Sequence, residues 1–163
     1  MMEKQITALA KQLGISLKLK GMKMVTAESC TGGGIAQIIT EIPGSSAWFD
    51  SGFVTYSNKA KIRTLQVKQF TLDKYGAISE EVAVEMVKGA LNITDGDLAI
   101  AVTGVAGPDG GTVQKPVGTV YIAWKRRNAV AYCCKQFFSG NRHQIRKQTI
   151  EYAIKYCLEN DFI

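Results

Sequence analysis

The chain has 163 residues, 46% of them hydrophobic and 16 of them glycine, which suffices for one well-buried core and is too short for two ordinary domains. Charged residues interrupt every apolar run, which excludes a membrane-spanning segment, and with no secretion signal residues 1–163 read as one cytoplasmic domain. The net charge of +6 raises a nucleic-acid partner, but Lys and Arg are scattered; the compact run Lys125-Arg126-Arg127 falls in a turn without interleaved aromatics, and a small anionic substrate suits the same field.

Helical periodicity covers roughly residues 3–20 and stops at Gly21, before a short apolar strand from Met24 to Ala27. Glycines 32–34 open a helix over about 32–41, and Pro43-Gly44-Ser45-Ser46 then breaks the chain ahead of a strand from Trp48 to Tyr56. Helices are predicted at about 58–65 and 68–75. A third begins at Ser79 with Glu80 and Glu81 in its first turn and ends before Gly96. Leu98–Val102 is almost purely apolar and reads as a central strand covered on both faces. Gly104–Gly118 is a long loop rich in Gly and Pro. Val117–Trp124 and Ala129–Phe138 are antiparallel strands joined at Lys125–Asn128, and a last helix runs from about Arg142 to Leu158. This order predicts a three-layer α/β/α domain with a mixed sheet.

The run from Thr26 to Gly34 ends a strand on Ser29 and then opens glycine-rich backbone into a helix. Open α/β sheets place ligands at the carboxyl ends of their strands, and free N–H groups at a helix start favour phosphate or a developing oxyanion. On the alternative reading Ser29 and Thr31 only cap the helix. The single histidine, His143, lies in the first turn of the last helix, where the dipole disfavours its charged form, so it is a poor triad base. A lysine whose pKa is lowered by burial or by neighbouring cations is the other way to activate a serine. Tyr56-Ser57-Asn58-Lys59-Ala60-Lys61 supplies one: Tyr56 ends the second strand at the same sheet edge, and Lys61 projects from the following helix. Against this, both lysines could be solvated helix charges.

Cys30 is intrinsically the better nucleophile, but neighbouring extended residues point in opposite directions, so only one of Ser29 and Cys30 faces the site, and Ser29 is preferred. Cys30, Cys133, Cys134 and Cys157 form no CxxC pair, and one histidine cannot complete a zinc site of usual spacing; reduced thiols and no metal are expected. The Gly104–Gly111 run is not a Walker loop, because Lys115 is followed by Pro116. Nor do the glycines 32–34 extend into a dinucleotide fingerprint, since Gln37 stands where its last glycine would be. A smaller anion held by backbone N–H groups and the Thr103 hydroxyl stays open.

Taken together, Ala27-Glu28-Ser29-Cys30-Thr31-Gly32-Gly33, Gly44-Ser45-Ser46, Tyr56-Ser57-Asn58 with Lys61, Thr103-Gly104 with Ala106–Gly111, and Lys115-Pro116-Val117-Gly118 resemble the CinA C-terminal domain family over nearly the whole chain. The family includes stand-alone nicotinamide-nucleotide amidases. The resemblance implies deamidation of nicotinamide mononucleotide to nicotinate mononucleotide and ammonia without metal or cofactor. It implies Ser29 as nucleophile, served by Lys61 and Tyr56. Lys61 would take the serine proton directly or through Tyr56, and N–H groups after Ser29 or near Gly104 would hold the oxyanion. Arg142 is the candidate for the phosphate, Thr31 and Thr103 are polar contacts, and Gly32, Gly33 and Gly104 complete the substrate-binding set. Lys59 stands where members often carry Glu, and Asn141 where they carry Asp, which removes a charge next to Arg142. The expected partner is a small-molecule nucleotide, with a homodimer or higher homo-oligomer open. A non-catalytic nucleotide-binding module and a basic nucleic-acid accessory protein are the competing classes.

Overall fold

The computed structural model describes residues 2–160 and 162–163. Its strands are β1 (Met24–Glu28), β2 (Phe49–Val54), β3 (Leu98–Gly104), β4 (Thr119–Arg126) and β5 (Tyr132–Phe137), in the sheet order β2-β1-β3-β4-β5. β1 runs parallel to both β2 and β3, while β4 and β5 complete the sheet antiparallel, so the sheet is mixed as the element order predicts. The apolar run from Leu98 is central, and every residue of β1 is buried, because helices cover both faces.

Alternation along the strands divides the core into two layers. On one side Met24, Leu98, Ile100, Val102, Ile122 and Trp124 pack against α1 (Met2–Leu19), α2 (Gly34–Thr40) and α6 (Arg142–Glu159). On the other, the smaller Val25, Ala27, Ala99, Ala101 and Ala123 face α3 (Asn58–Leu65), α4 (Gln69–Tyr75) and α5 (Glu80–Asn92). Short side chains there let the helices lie close to one another and to the sheet: a Cβ at Gly89 of α5 would overlap the carbonyl oxygen of Leu65 at the end of α3. The first layer holds the bulk. Trp48 packs over Gly14 of α1, and Trp124 donates its indole N–H to the Ala153 carbonyl (3.0 Å) among Tyr132, Tyr152, Tyr156 and Phe162.

Among the boundaries that differ from expectation, two have a plain physical reason. The helix predicted from about 32 starts at Gly34, because Gly32 and Gly33 adopt φ of +60° and +90° and form a turn before it. The last strand begins at Tyr132 rather than Ala129, since Ala129 donates its N–H to the Arg126 carbonyl and closes the hairpin turn. No described helix is long and apolar enough to cross a membrane.

Candidate active site

β1 does not stop pairing at its last strand residue. Thr55 donates its N–H to the Glu28 carbonyl (2.9 Å) and Ser29 donates its own to Val102 (3.0 Å), which fixes Ser29 at the carboxyl edge of three strands. The chain then turns, with the Gly32 N–H closing on the Ser29 carbonyl at 3.0 Å. The Glu28 side chain, 1% exposed, reaches across this turn. Its carboxylate accepts from the Thr31 hydroxyl (2.6 Å) and from the N–H groups of Ile35 and Ala36 (both 2.9 Å). A carboxylate at a helix N-terminus satisfies otherwise orphaned donors.

This overturns one expectation. The first turn of α2 is already occupied by an internal anion, so it offers no free donors to a phosphate, and the Thr31 hydroxyl is spent on Glu28. Arg146 of α6 braces the same turn by donating to the Thr31 carbonyl. Neither Glu28 nor Arg146 was selected from sequence; an acid directly before a glycine turn and a helix was the available signal for the first.

Lys61 is the buried partner of Ser29. Ser57 caps α3, accepting from the Ala60 N–H at 3.1 Å, and the helix thereby points Lys61 back under the sheet edge, 1% exposed. Its Nζ lies 2.9 Å from Ser29 Oγ, 2.8 Å from the Thr55 carbonyl and 3.5 Å from the Tyr56 carbonyl. No carboxylate among the described residues pairs with it, and burial pushes its pKa down to about 8. Of the two ways to lower a lysine pKa, burial is the one at work: Lys59, the neighbouring cation, is exposed and plays no part in the shift, which comes from desolvation. In the neutral form two amine hydrogens serve the two carbonyls, and the lone pair faces the Ser29 hydroxyl.

Cys30 packs into the core, and burial pushes its thiol up to about 12, so it carries no thiolate at neutral pH. The choice of Ser29 over Cys30 thus has a physical basis. His143 is exposed and lies in a separate groove of about 760 Å³ between α1, α2 and α6, remote from the Ser29–Lys61 pair.

Ser29 and Lys61 open into a cavity of about 260 Å³ that Tyr56, Thr103, Gly104 and Arg142 also line; Thr31, Gly32 and Gly33 lie outside its lining. Tyr56 is exposed, and its hydroxyl accepts from Arg142 (2.7 Å) instead of bridging Lys61 to Ser29. Arg142 also donates to the Gly107 carbonyl (2.8 Å), tying α6 to the β3–β4 loop. Asn141, which lacks the charge of an Asp beside Arg142, caps α6: its side chain accepts from the Gln144 N–H in a complete capping box, a task Asn performs as well as Asp. The Thr103 hydroxyl is committed to the Ala77 carbonyl (2.7 Å). At Gly104 a Cβ would come within 2.6 Å of the Thr119 carbonyl, so this glycine serves strand packing as well as the cavity wall.

The family model of the CinA C-terminal domain matches residues 6–160. The chain belongs to the CinA C-terminal domain family. Among its relatives, the nicotinamide-nucleotide amidohydrolase PncC of Escherichia coli strain K12 is 46% identical over 155 residues, 95% of this chain and 94% of that protein. A protein of the same name from Enterobacter agglomerans is 48% identical over 158 residues, 97% of this chain and 96% of its own length. The crystal structure of the competence/damage inducible protein CihA from Agrobacterium tumefaciens matches with a TM-score of 0.92 and 42% identity, over 95% of this chain and 94% of that one.

Proposed function

We propose that this protein is an amidohydrolase that converts nicotinamide mononucleotide to nicotinate mononucleotide and ammonia through an acyl-enzyme on Ser29. The observation that carries the chemistry is the 2.9 Å contact between Ser29 Oγ and a lysine amine buried without a counter-charge. The substrate is taken from the names of the amidohydrolase relatives, which match nearly the full chain.

Neutral Lys61 takes the Ser29 proton as Oγ attacks the carboxamide carbon, and the N–H of Cys30, which follows Ser29 in the cavity lining, receives the oxyanion. The charged Lys61 then returns its proton to the nitrogen as the C–N bond breaks and ammonia leaves. Water attacks the ester, Lys61 accepts its proton, and Ser29 departs reprotonated. Arg142 binds the phosphate, and Tyr56 holds Arg142 at the mouth. The same reading has the protein work without cofactor in the cytoplasm, in pyridine nucleotide salvage. A homo-oligomer built on the open edges of β2 and β5 belongs to it too, and light scattering tests that.

Ammonia release from nicotinamide mononucleotide, with nicotinamide and its riboside as controls, tests the activity. Turnover should vanish in Ser29→Ala while affinity for the mononucleotide persists. Absence of ammonia from the wild-type protein would leave a binding module; unchanged turnover in Ser29→Ala would remove the acyl-enzyme.

A further inference from the structure

We infer that Asp109 selects substrates whose aromatic ring is positively charged, an N-glycosyl pyridinium, over uncharged aromatic amides of the same shape. This rests on the amidase reading above.

Asp109 lines the same cavity as Ser29 and Lys61. It stands in the β3–β4 loop between Gly107 (φ +76°) and Gly110 (φ +86°), and several bonds fix that loop. Val105 donates to Thr119 (2.9 Å), Gly118 to Val105 (2.8 Å) and the Lys115 amine to the Tyr75 carbonyl (2.8 Å), while Arg142 holds the Gly107 carbonyl. These bonds fix the loop on either side of Asp109, whose exposed carboxylate has no hydrogen-bond or ion-pair partner among the described residues. Arg142, at the start of α6, donates to the Gly107 carbonyl and the Tyr56 hydroxyl and not to Asp109, and the ion pairs among the described residues, Glu3–Lys147 and Lys155–Glu159, lie elsewhere. Asp109 is the one acidic residue in the lining of the reaction cavity, so it is the group there that favours a cationic ligand.

The charges that line the cavity divide simply. Glu28 is sealed behind the turn, and Lys61 must be neutral to act, which leaves Asp109 negative and Arg142 positive. A pyridinium nucleotide carries the complementary pair, a cationic ring and an anionic phosphate. A positive ring beside Lys61 also disfavours protonation of that amine, so the ring that Asp109 attracts helps to keep the base competent.

Binding can be separated from turnover by measuring calorimetric affinities in a Ser29→Ala background. The ligands are nicotinamide mononucleotide and benzamide riboside 5′-monophosphate, in which carbon replaces the ring nitrogen and the charge is lost. A partly solvated charge pair at contact range predicts that Asp109→Asn weakens the cationic ligand about fivefold and leaves the neutral one unchanged. Asp109→Glu, which keeps the charge, should retain the preference. Equal losses for both ligands would assign the carboxylate to ribose hydroxyls or to loop structure and overturn the inference, as would no loss for either. If the wild-type protein releases no ammonia, the amidase reading fails on its own, and these affinities still decide the charge selection.

Discussion

Replacing Lys61 by methionine should abolish turnover and at the same time make the protein more stable near neutrality. The amine titrates at about 8 in the folded chain, against an ordinary lysine value of 10.5. Below the folded value both states are charged, and the native state bears the full cost of burying the ammonium. Between the two values the unfolded chain binds more protons than the folded one, so stability rises with pH across that window and levels off above it. The whole rise is about 3 kcal/mol. Methionine follows the side chain to within one atom of its length and removes this cost, but it leaves the Thr55 carbonyl without its donor, an offset of about 1 kcal/mol. The net gain near pH 7 is therefore about 2 kcal/mol, or a midpoint higher by roughly 4–8 °C for a chain of this size. Urea denaturation followed by far-ultraviolet circular dichroism, repeated at several pH values on both proteins, isolates the effect, because every other titrating group cancels in the difference. The advantage of Lys61→Met should shrink as pH rises through the window and reverse in sign near its upper end. A difference independent of pH would mean that Lys61 is not held as a poorly solvated amine, and the general-base assignment would lose its foundation.

Ammonia release by the wild-type protein should climb with pH through about 8, the folded value of Lys61, and Lys61→Arg should be inactive across the range because a guanidinium cannot give up its proton; substantial activity in Lys61→Arg would reduce the residue to a fixed charge. Glu28→Gln should cost about 2–3 kcal/mol in denaturant titrations, since the replacement turns a donor toward the α2 backbone where an acceptor is required. A neutral result would show that the turn before α2 holds itself. Cys30→Ala should keep most of the turnover, and the wild-type protein should resist alkylating agents at this position, given a thiol held near 12; rapid inactivation tracking Cys30 modification would reopen the thiol as nucleophile. Arg142→Ala should reduce kcat/KM for the mononucleotide about tenfold or more while sparing the riboside, on the strength of a charge-assisted phosphate contact. An unchanged ratio would move the phosphate site elsewhere.

The layered architecture was legible because each element carries its own period: the apolar run at Leu98 and the helical faces of α1 and α5 state their burial without reference to neighbours. Ser29 was legible for a similar reason, lying at a strand end before glycines. Lys61 could be nominated from sequence beside Lys59, but only the direction in which α3 docks separates a buried base from an exposed charge one half-turn away. What escaped sequence reading is contact across a turn or between distant segments. The Glu28 carboxylate reaches α2 seven and eight residues on, Arg146 braces Thr31 from 115 residues away, and Tyr56 meets Arg142 across 86. The same blindness explains Thr31 and Thr103, whose hydroxyls suit a ligand by type but already serve Glu28 and the Ala77 carbonyl.

Both tryptophans, Trp48 and Trp124, lie in the bulky layer beneath α1, α2 and α6, and the layer that carries Lys61 has neither. Intrinsic emission is consequently a one-sided reporter. It will register the departure of α6 from Trp124, yet a partial opening of α3 and α4 that hydrates Lys61 and silences the base would pass without a spectral change. A protein that looks fully folded by its fluorescence could already have lost its chemistry, and an optical probe introduced on α3 or α5 is what would make that loss visible.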